Sequence, residues 1–352
     1  MIITSKIKNY SLEFIDNLLE QKDLLKTDQK YLYLIDDSVY KIYQNQLKPF
    51  IGKNKLIIMP ANEDSKSFHS LAKIYRALIN NEFRRNDILV TFGGGVLQDI
   101  SGFIASTIYR GVKWIFFPTT LLAQADSCIG SKTSINFDES KNLIGTFYPP
   151  DKIYIDINFL NTLKDDYFYS GVGEIIKFHF LADNEKYQLL KEFLDSSDLK
   201  KSNILKKIIK STLLIKKSYF EKDELDLGRR NLLNYGHCFG HALESASNFA
   251  VSHGQAVIVG MGFVNLLSLK RGIMKKEKYN EFEKILEKYY PRFDISKISV
   301  KDIIYYLKRD KKRVGKDLTM ILSQDIGKQF KFNDIKEKEV IETFNDFIIK
   351  KL

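Results

Sequence analysis

A chain of 352 residues that is 44% hydrophobic and 28% charged can fill about two ordinary cores, and its charges are too evenly spread for wholesale disorder. Two cysteines, Cys128 and Cys238, exclude a disulfide framework and fit a reduced, cytoplasmic setting. The net charge of +11 comes from dispersed lysines with no nucleic-acid-binding motif beside them, so it reads as a solvated basic surface, or in part as a pocket for an anionic substrate. The start, MIITSKIKNYSLEF, lacks an apolar h-region and reads as mature sequence. The longest apolar stretch, residues 256–269, contains Asn265 and is too short to span a bilayer, so no membrane partner is expected.

The first half alternates strand-like and helix-like segments. Residues 30–35 (KYLYLI) and 55–59 (KLIIM) are β-type runs, while 67–80 carry Phe68, Leu71, Ala72, Tyr75 and Leu78 at helical spacing. Residues 87–92 (DILVTF) form a buried strand ending in glycine, 95–107 a helix, and 112–117 another strand, punctuated by Gly111 and Pro118. Such alternation implies βαβ units and a parallel sheet. Beyond about residue 160, helical periods take over at 169–181, 187–194, 204–220, 232–247, 254–271, 277–289 and 336–350, and 318–322 is the one remaining strand signal. The expected architecture is an α/β Rossmann-like domain over residues 1–160 followed by a mostly α-helical domain over 161–352. The cleft between two such domains is the default place for a site.

Gly93, Gly94 and Gly95 lie between a strand and a helix, where backbone N–H groups and a helix N-terminus suit a pyrophosphate. The dinucleotide fingerprint G-x-G-x-x-G fails at Gln98, and a tight turn with no ligand accounts for the glycines equally well. Asp99, near the start of that helix, stands within reach of a ribose or a nicotinamide; it equally complements the helix dipole. Thr119 and Thr120 follow the next strand at the same expected sheet edge.

Three of the five histidines fall between residues 237 and 253. His237 and His241, four apart on a predicted helix, share a face. No His-Glu-x-x-His is present, which removes the zinc-protease reading. With His253, and with Glu174 from GVGEIIK as third ligand, they make a set that suits a catalytic metal with open positions; ordinary packed histidines and a surface Glu174–Lys177 pair are the competing account. Gly236, Gly240 and Gly254 flank the histidines, which indicates close approach of backbone or ligand.

Cationic and amide side chains recur beside glycine or apolar residues, as a phosphate and a carboxylate require: Arg110, Lys132, Lys141, Asn142, Lys216, Arg230, Asn231, Asn234, and the run from Lys308 to Lys312.

In order along the chain, GGGVLQDISGFIASTIYRGVKWIFFPTTLLAQADSCIGSKTSIN, KNLIGTFYPP, GVGEIIK, RRNLLNYGHCFGHALE and SHGQAV resemble the 3-dehydroquinate synthases and the wider sugar-phosphate cyclases. The resemblance covers about residues 63–312. It implies a dehydroquinate synthase-like fold, bound NAD, and a divalent metal, zinc or cobalt, on Glu174, His237 and His253. Asp36, Glu63, Lys66, Gly93, Gly94, Gly95, Asp99, Thr119, Thr120, Lys132 and Lys141 then fall at the NAD site. Asp126, Lys132, Asn142, Lys177, Lys216, Arg230, Asn234 and His241 fall at the substrate, and Lys311, beside Lys312, at its phosphate. Arg110 matches an arginine that reaches the substrate phosphate of a neighbouring subunit, so a homodimer is implied. The implied reaction cyclises 3-deoxy-D-arabino-heptulosonate 7-phosphate, a phosphorylated sugar acid, by transient NAD oxidation, phosphate elimination, reduction and intramolecular aldol closure. Departures are Gln98 for glycine, Ser131 and Ser134 around Lys132, Gly173 for alanine, His179 for glycine, Gln255 for glutamate and Ser38 for asparagine. They leave in play a related cyclase acting on sedoheptulose 7-phosphate or another sugar phosphate, and beyond it a metal-dependent polyol dehydrogenase.

Overall fold

The computed structural model describes residues 1–352 except 22, 26–27, 139, 310–316 and 350–352. The described chain divides into two compact units, Met1–Lys164 and Asp165–Leu352.

The first unit contains β1 (Ile2–Ile3), β2 (Tyr10–Phe14), β3 (Tyr31–Asp36), α1 (Asp37–Ile51), β4 (Lys55–Met59), α2 (Phe68–Asn80), β5 (Ile88–Gly93), α3 (Gly95–Thr107), β6 (Trp114–Pro118), β7 (Ile135–Phe137), β8 (Ser140–Ile144) and β9 (Lys152–Ile155). Seven strands form one sheet in the order β1-β2-β9-β6-β5-β3-β4. Every pairing is parallel except β1 with β2. Strands β3, β5 and β6 are buried on both faces, which is why they read as continuous apolar runs rather than alternating ones. On one face Tyr33, Phe92, Phe117 and Tyr154 stack from strand to strand, Phe92 and Phe117 at 4.2 Å between centroids, with Phe50 of α1 edge-on against them. On the other, Thr91 of β5 donates to Ser101 of α3 at 2.8 Å.

From β3 the chain winds outward through α1 to β4; from β5 it winds the opposite way through α3 to β6. The direction therefore reverses between β3 and β5, whose carboxyl ends carry Asp36 and Gly93. Open α/β sheets bind ligands at such a switch point. Gly93 pairs with Pro118, which brings Thr119 and Thr120 to the same edge.

The second unit contains α4 (Asp165–Phe180), α5 (Asn184–Leu194), α6 (Leu205–Phe220), α7 (His237–Ala246), α8 (His253–Lys270), α9 (Lys276–Leu286), α10 (Val300–Lys308), the antiparallel hairpin β10 (Leu318–Asp325) and β11 (Lys328–Ile335), and α11 (Glu337–Ile349). The single helix expected over 232–247 is instead two pieces. A 3-10 turn, Arg229–Asn234, ends before Gly236, and α7 starts at His237. Gly236 has φ +77°, and a Cβ there would lie 2.7 Å from the Val257 carbonyl of α8, so close packing of the two segments forces the break. α8 is buried almost all round and shows no amphipathic stripe, as a central helix should. No helix among the described residues is long and apolar enough to cross a membrane.

His179 is fully buried in α4. Its Nδ1–H donates to the Ile175 carbonyl at 2.8 Å, leaving Nε2 to accept from Ser211 Oγ at 3.1 Å. Burial holds its pKa down at about 4. An unfolded histidine titrates near 6.5, so the unfolded chain takes up the proton first as pH falls. The stabilisation is complete above about pH 6.5 and drains away toward pH 4, with about 2 kcal/mol lost by pH 5. Urea unfolding at pH 7 and pH 5 measures this: His179→Gln should show a pH dependence smaller by that amount, and an unchanged dependence would remove the assignment.

Candidate functional site

In the first unit the turn after β5 is held by its own packing. A Cβ on Gly93 would lie 2.8 Å from Leu97, and one on Gly94 would lie 2.9 Å from Thr120. Close contact with these side chains therefore requires glycine at both positions. At Gly95 a Cβ would meet only ordinary contacts. Gly94 caps α3 without a side-chain hydrogen bond, so the helix begins with N–H groups directed outward and its positive dipole end uncapped. Gln98, where the fingerprint wants glycine, donates from Nε2 to the Ser127 carbonyl at 2.6 Å and accepts from Ser127 Oγ at 2.6 Å. It ties α3 to the π-helical turn Ala123–Ser127, which carries the half-buried Asp126.

Next to this turn sits a polar knot. Lys66, 4% exposed, donates to Asp99 Oδ2 at 2.7 Å, Ser134 Oγ at 3.0 Å and Asn142 Oδ1 at 2.5 Å. An ammonium has three protons, and all three are engaged here. Lys66 can thus offer a ligand its charge and a fixed Asp99, not a further hydrogen bond. Burial raises the Asp99 pKa against the opposing pull of Lys66. Glu63 Oε1 accepts from Asn136 at 2.9 Å and lies 3.9 Å from Lys141, while Asn136 Oδ1 accepts from the Asn142 backbone at 2.9 Å. Asn136 and Ser134 carry no sequence signal beyond their neighbourhood to Lys132, yet they organise Glu63, Asp99 and Asn142. Asp36 caps α1, accepting from Ser38 N–H at 2.8 Å. Thr119 is buried, and Thr120 Oγ1 accepts from the Ala123 backbone at 3.2 Å. Lys132 and Arg110 are exposed, not enclosed by apolar residues as the sequence around Lys132 suggests.

In the second unit, α4, α7 and α8 cross at backbone contact. A Cβ on Gly173 or Gly254 would overlap the facing carbonyl, of Gly254 and Ser170 respectively, and one on Gly260 would overlap that of Gly236. The Gly254 N–H donates to Ser170 Oγ at 2.9 Å. This contact between α4 and α8 carries Glu174 to His253. Glu174 Oε1 lies 3.3 Å from His253 Nε2 and 3.5 Å from His237 Nε2, with Oε2 ion-paired to Lys177. Glu174 is fully buried, and neither of its oxygens accepts a hydrogen bond of good geometry among the described residues. The donor nitrogens of His237, His241 and His253 lie within 4.8 Å of one another. His237 Nδ1 is directed at the Tyr235 carbonyl, 3.3 Å away.

The electrostatics follow from burial and charge. Burial would raise the Glu174 carboxyl, but Lys177, His237 and His253 outweigh it and hold it well below the usual carboxylate range. Burial, then Lys177, pushes His237 well down. Burial would lower His253 too, yet Glu244 and Glu174 on either side raise it to about 10. Glu174 Oε1, buried and without a hydrogen bond of good geometry, faces two imidazole nitrogens, and a divalent cation bound there would replace the His253 proton as its partner. One carboxylate and two imidazoles are also the donor set of catalytic zinc and cobalt sites, so the residues present fit the group.

Lys216 and Arg230 are both buried. Arg230 stacks over Phe220 at 5.2 Å and donates from Nη1 to the Glu224 carbonyl. Asn234 is half-buried and His241 exposed. Lys311 and Lys312 lie outside the described residues.

Residues 56–170 match the family model for the 3-dehydroquinate synthase N-terminal region and residues 171–313 that for the C-terminal region. A 3-dehydroquinate synthase of Dictyoglomus turgidum is 40% identical over 307 residues, covering 87% of this chain and 86% of the relative. Among solved structures, a 2-deoxy-scyllo-inosose synthase complexed with carbaglucose-6-phosphate, NAD+ and Co2+ superposes with a TM-score of 0.89 at 24% identity, over 98% of this chain and 99% of that one. A 2-epi-5-epi-valiolone synthase of Streptomyces hygroscopicus subsp. jinggangensis, with NAD+ and Zn2+ bound, gives 0.88 at 24% identity over 99% of both chains. At that identity the two structures speak to fold. The two matched regions together span most of the chain, and with the 40% identical relative they show that this chain belongs to the 3-dehydroquinate synthase family.

Proposed function

We propose that this chain is a 3-dehydroquinate synthase, converting 3-deoxy-D-arabino-heptulosonate 7-phosphate to 3-dehydroquinate and inorganic phosphate. The observation that carries the reading is the convergence of Glu174, His237 and His253 in a chain that matches this family over residues 56–313. The conversion breaks one carbon–oxygen bond to phosphate, closes one carbon–carbon bond and leaves no net redox change. NAD bound at the β3–β5 edge supplies a reversible hydride acceptor, and a divalent cation on Glu174, His237 and His253 supplies Lewis acidity.

The residues of the chain do the rest. The uncapped start of α3 attracts the dinucleotide's pyrophosphate, and Lys66 holds Asp99 rigid beside it. Lys177 neutralises Glu174 and holds a proton donor at the buried end of α4. Arg230 and Lys216 place two cations in a dry setting, where a planar carboxylate pairs strongly with a guanidinium. By family resemblance Asp126, Lys132, Asn142, Asn234, His241 and Lys311 are substrate-binding residues. The enzyme works as a cytoplasmic homodimer, in which the exposed Arg110 serves the second copy.

Arg230 gives the selective test. Arg230→Ala should lower kcat/KM for the heptulosonate phosphate by about 100-fold, the scale of truncating one partner of a buried charged pair. Arg230→Lys should fall between, since it keeps charge and loses the planar fork. Steady-state phosphate release measures both, and wild-type kcat/KM in Arg230→Ala would remove the carboxylate assignment.

A further inference from the structure

We propose that Glu244 is a positioning residue for metal binding: it fixes the His253 ring through Nδ1 and so aims Nε2 at the cation. This rests on the reading of Glu174, His237 and His253 as ligands. Glu244 is seven residues after His237 on α7, two turns along, so it shares a stripe with His237 and His241. Its Oε2 lies 3.0 Å from His253 Nδ1, across the gap from α7 to the first residue of α8. The same ring turns Nε2 toward Glu174 Oε1 at 3.3 Å. With Nδ1–H donating to the Glu244 carboxylate, the proton a cation would displace is the one on Nε2, so Nε2 is the nitrogen left to bind it. His237 is arranged the same way by a different acceptor, the Tyr235 carbonyl, with its Nε2 3.5 Å from the same Glu174 oxygen. The two rings therefore present the same nitrogen to one point, each held from behind.

The two holding groups are unequal. A backbone carbonyl behind His237 is neutral and comes with the fold. Glu244 brings a negative charge, half-buried, that makes the His253 nitrogen a better donor to a cation and adds one more anion near the site. Partners of this kind typically carry 10- to 100-fold in metal affinity. His253 is also the more exposed of the two rings, with a third of its side chain accessible against 12% for His237. Packing alone holds it less firmly, and the hydrogen bond matters more. In the sequence Glu244 is marked only as the last residue of RRNLLNYGHCFGHALE, on one stripe with His237 and His241.

The test is zinc affinity of the full-length, metal-stripped enzyme, measured by competition with a chromogenic chelator. Glu244→Ala should weaken zinc binding roughly 10- to 100-fold. Glu244→Gln keeps an oxygen acceptor of the same shape and should recover the greater part of that loss. In a His253→Ala background, Glu244→Ala should add less than about twofold, because the group it acts through is gone. Activity lost by Glu244→Ala at limiting zinc should return as zinc is raised. Wild-type zinc affinity in Glu244→Ala, or an equal loss with and without His253, overturns the proposal and leaves the ligand set standing. A wild-type protein that binds zinc no more tightly than Glu174→Gln overturns the ligand set, and the role of Glu244 with it.

Discussion

A Glu174→Gln variant is expected to lose both its metal and about a thousandfold in phosphate release, the order that several kcal/mol of transition-state charge stabilisation corresponds to. The amide keeps the shape and removes the charge that draws a cation between His237 and His253. It also strands Lys177, which is buried against Glu174 and stacked 4.4 Å from the Phe178 ring. Leaving one partner of a buried pair alone costs about 3 kcal/mol or more, so the variant should also melt earlier, even without metal. His237→Ala separates the two effects: it removes a ligand while Glu174 and Lys177 remain paired. Metal content after dialysis, phosphate release and thermal melting read the three consequences. Undiminished metal content in Glu174→Gln would contradict the ligand assignment.

The second large effect is expected at a residue with no side chain. Gly254→Ala should destabilise the protein by about 3 kcal/mol or more and weaken metal binding with it. Its Cβ would overlap the Ser170 carbonyl of α4, and Gly173 on α4 faces Gly254 in return. Backbone meets backbone on both sides, so no side chain can rotate away. The helices must separate, and that separation carries Glu174 away from His253, the next residue along. Denaturant unfolding and zinc competition together test this. A variant of normal stability with normal zinc affinity would show that the crossing has slack.

The glycines also mark where sequence reasoning reached and where it stopped. Gly236, Gly240 and Gly254 beside the histidines announce a close approach, and the approach is of helix to helix: Gly236 and Gly240 against α8, Gly254 against α4. Gly93 and Gly94 announce a phosphate turn, yet each is needed first for packing on Leu97 and Thr120. The strands β3, β4, β5 and β6 are legible because burial on both faces, or a clean apolar run, leaves a pattern. Strands β1, β2 and β9 are short and join the sheet through distant partners, Ser11 with Lys152 for one, which no local period reveals. α1 leaves a weak signal in the sequence because its surface is polar and Pro49 sits in its last turn. β11 leaves no strand period because only Gln329 and Ile335 are buried and its charged residues fall on both faces. The helix over 232–247 was legible as helix, but its break at Gly236 depends on α8.

The candidate site divides along the same line. Glu174, His237 and His253 are legible by residue type and by family resemblance, and the structure brings them together. Glu244, Ser134 and Asn136 act through a second residue, and only coordinates show the residue they act on.

The central claim is that the anion-binding residues turn a metal- and NAD-using fold into a phosphate-eliminating cyclase. The direct measurement is phosphate release from 3-deoxy-D-arabino-heptulosonate 7-phosphate with NAD and zinc or cobalt, followed by identification of the product. One phosphate per 3-dehydroquinate formed and no accumulating NADH are expected. Release from sedoheptulose 7-phosphate with none from the heptulosonate phosphate, or steady NADH production without phosphate, would contradict it.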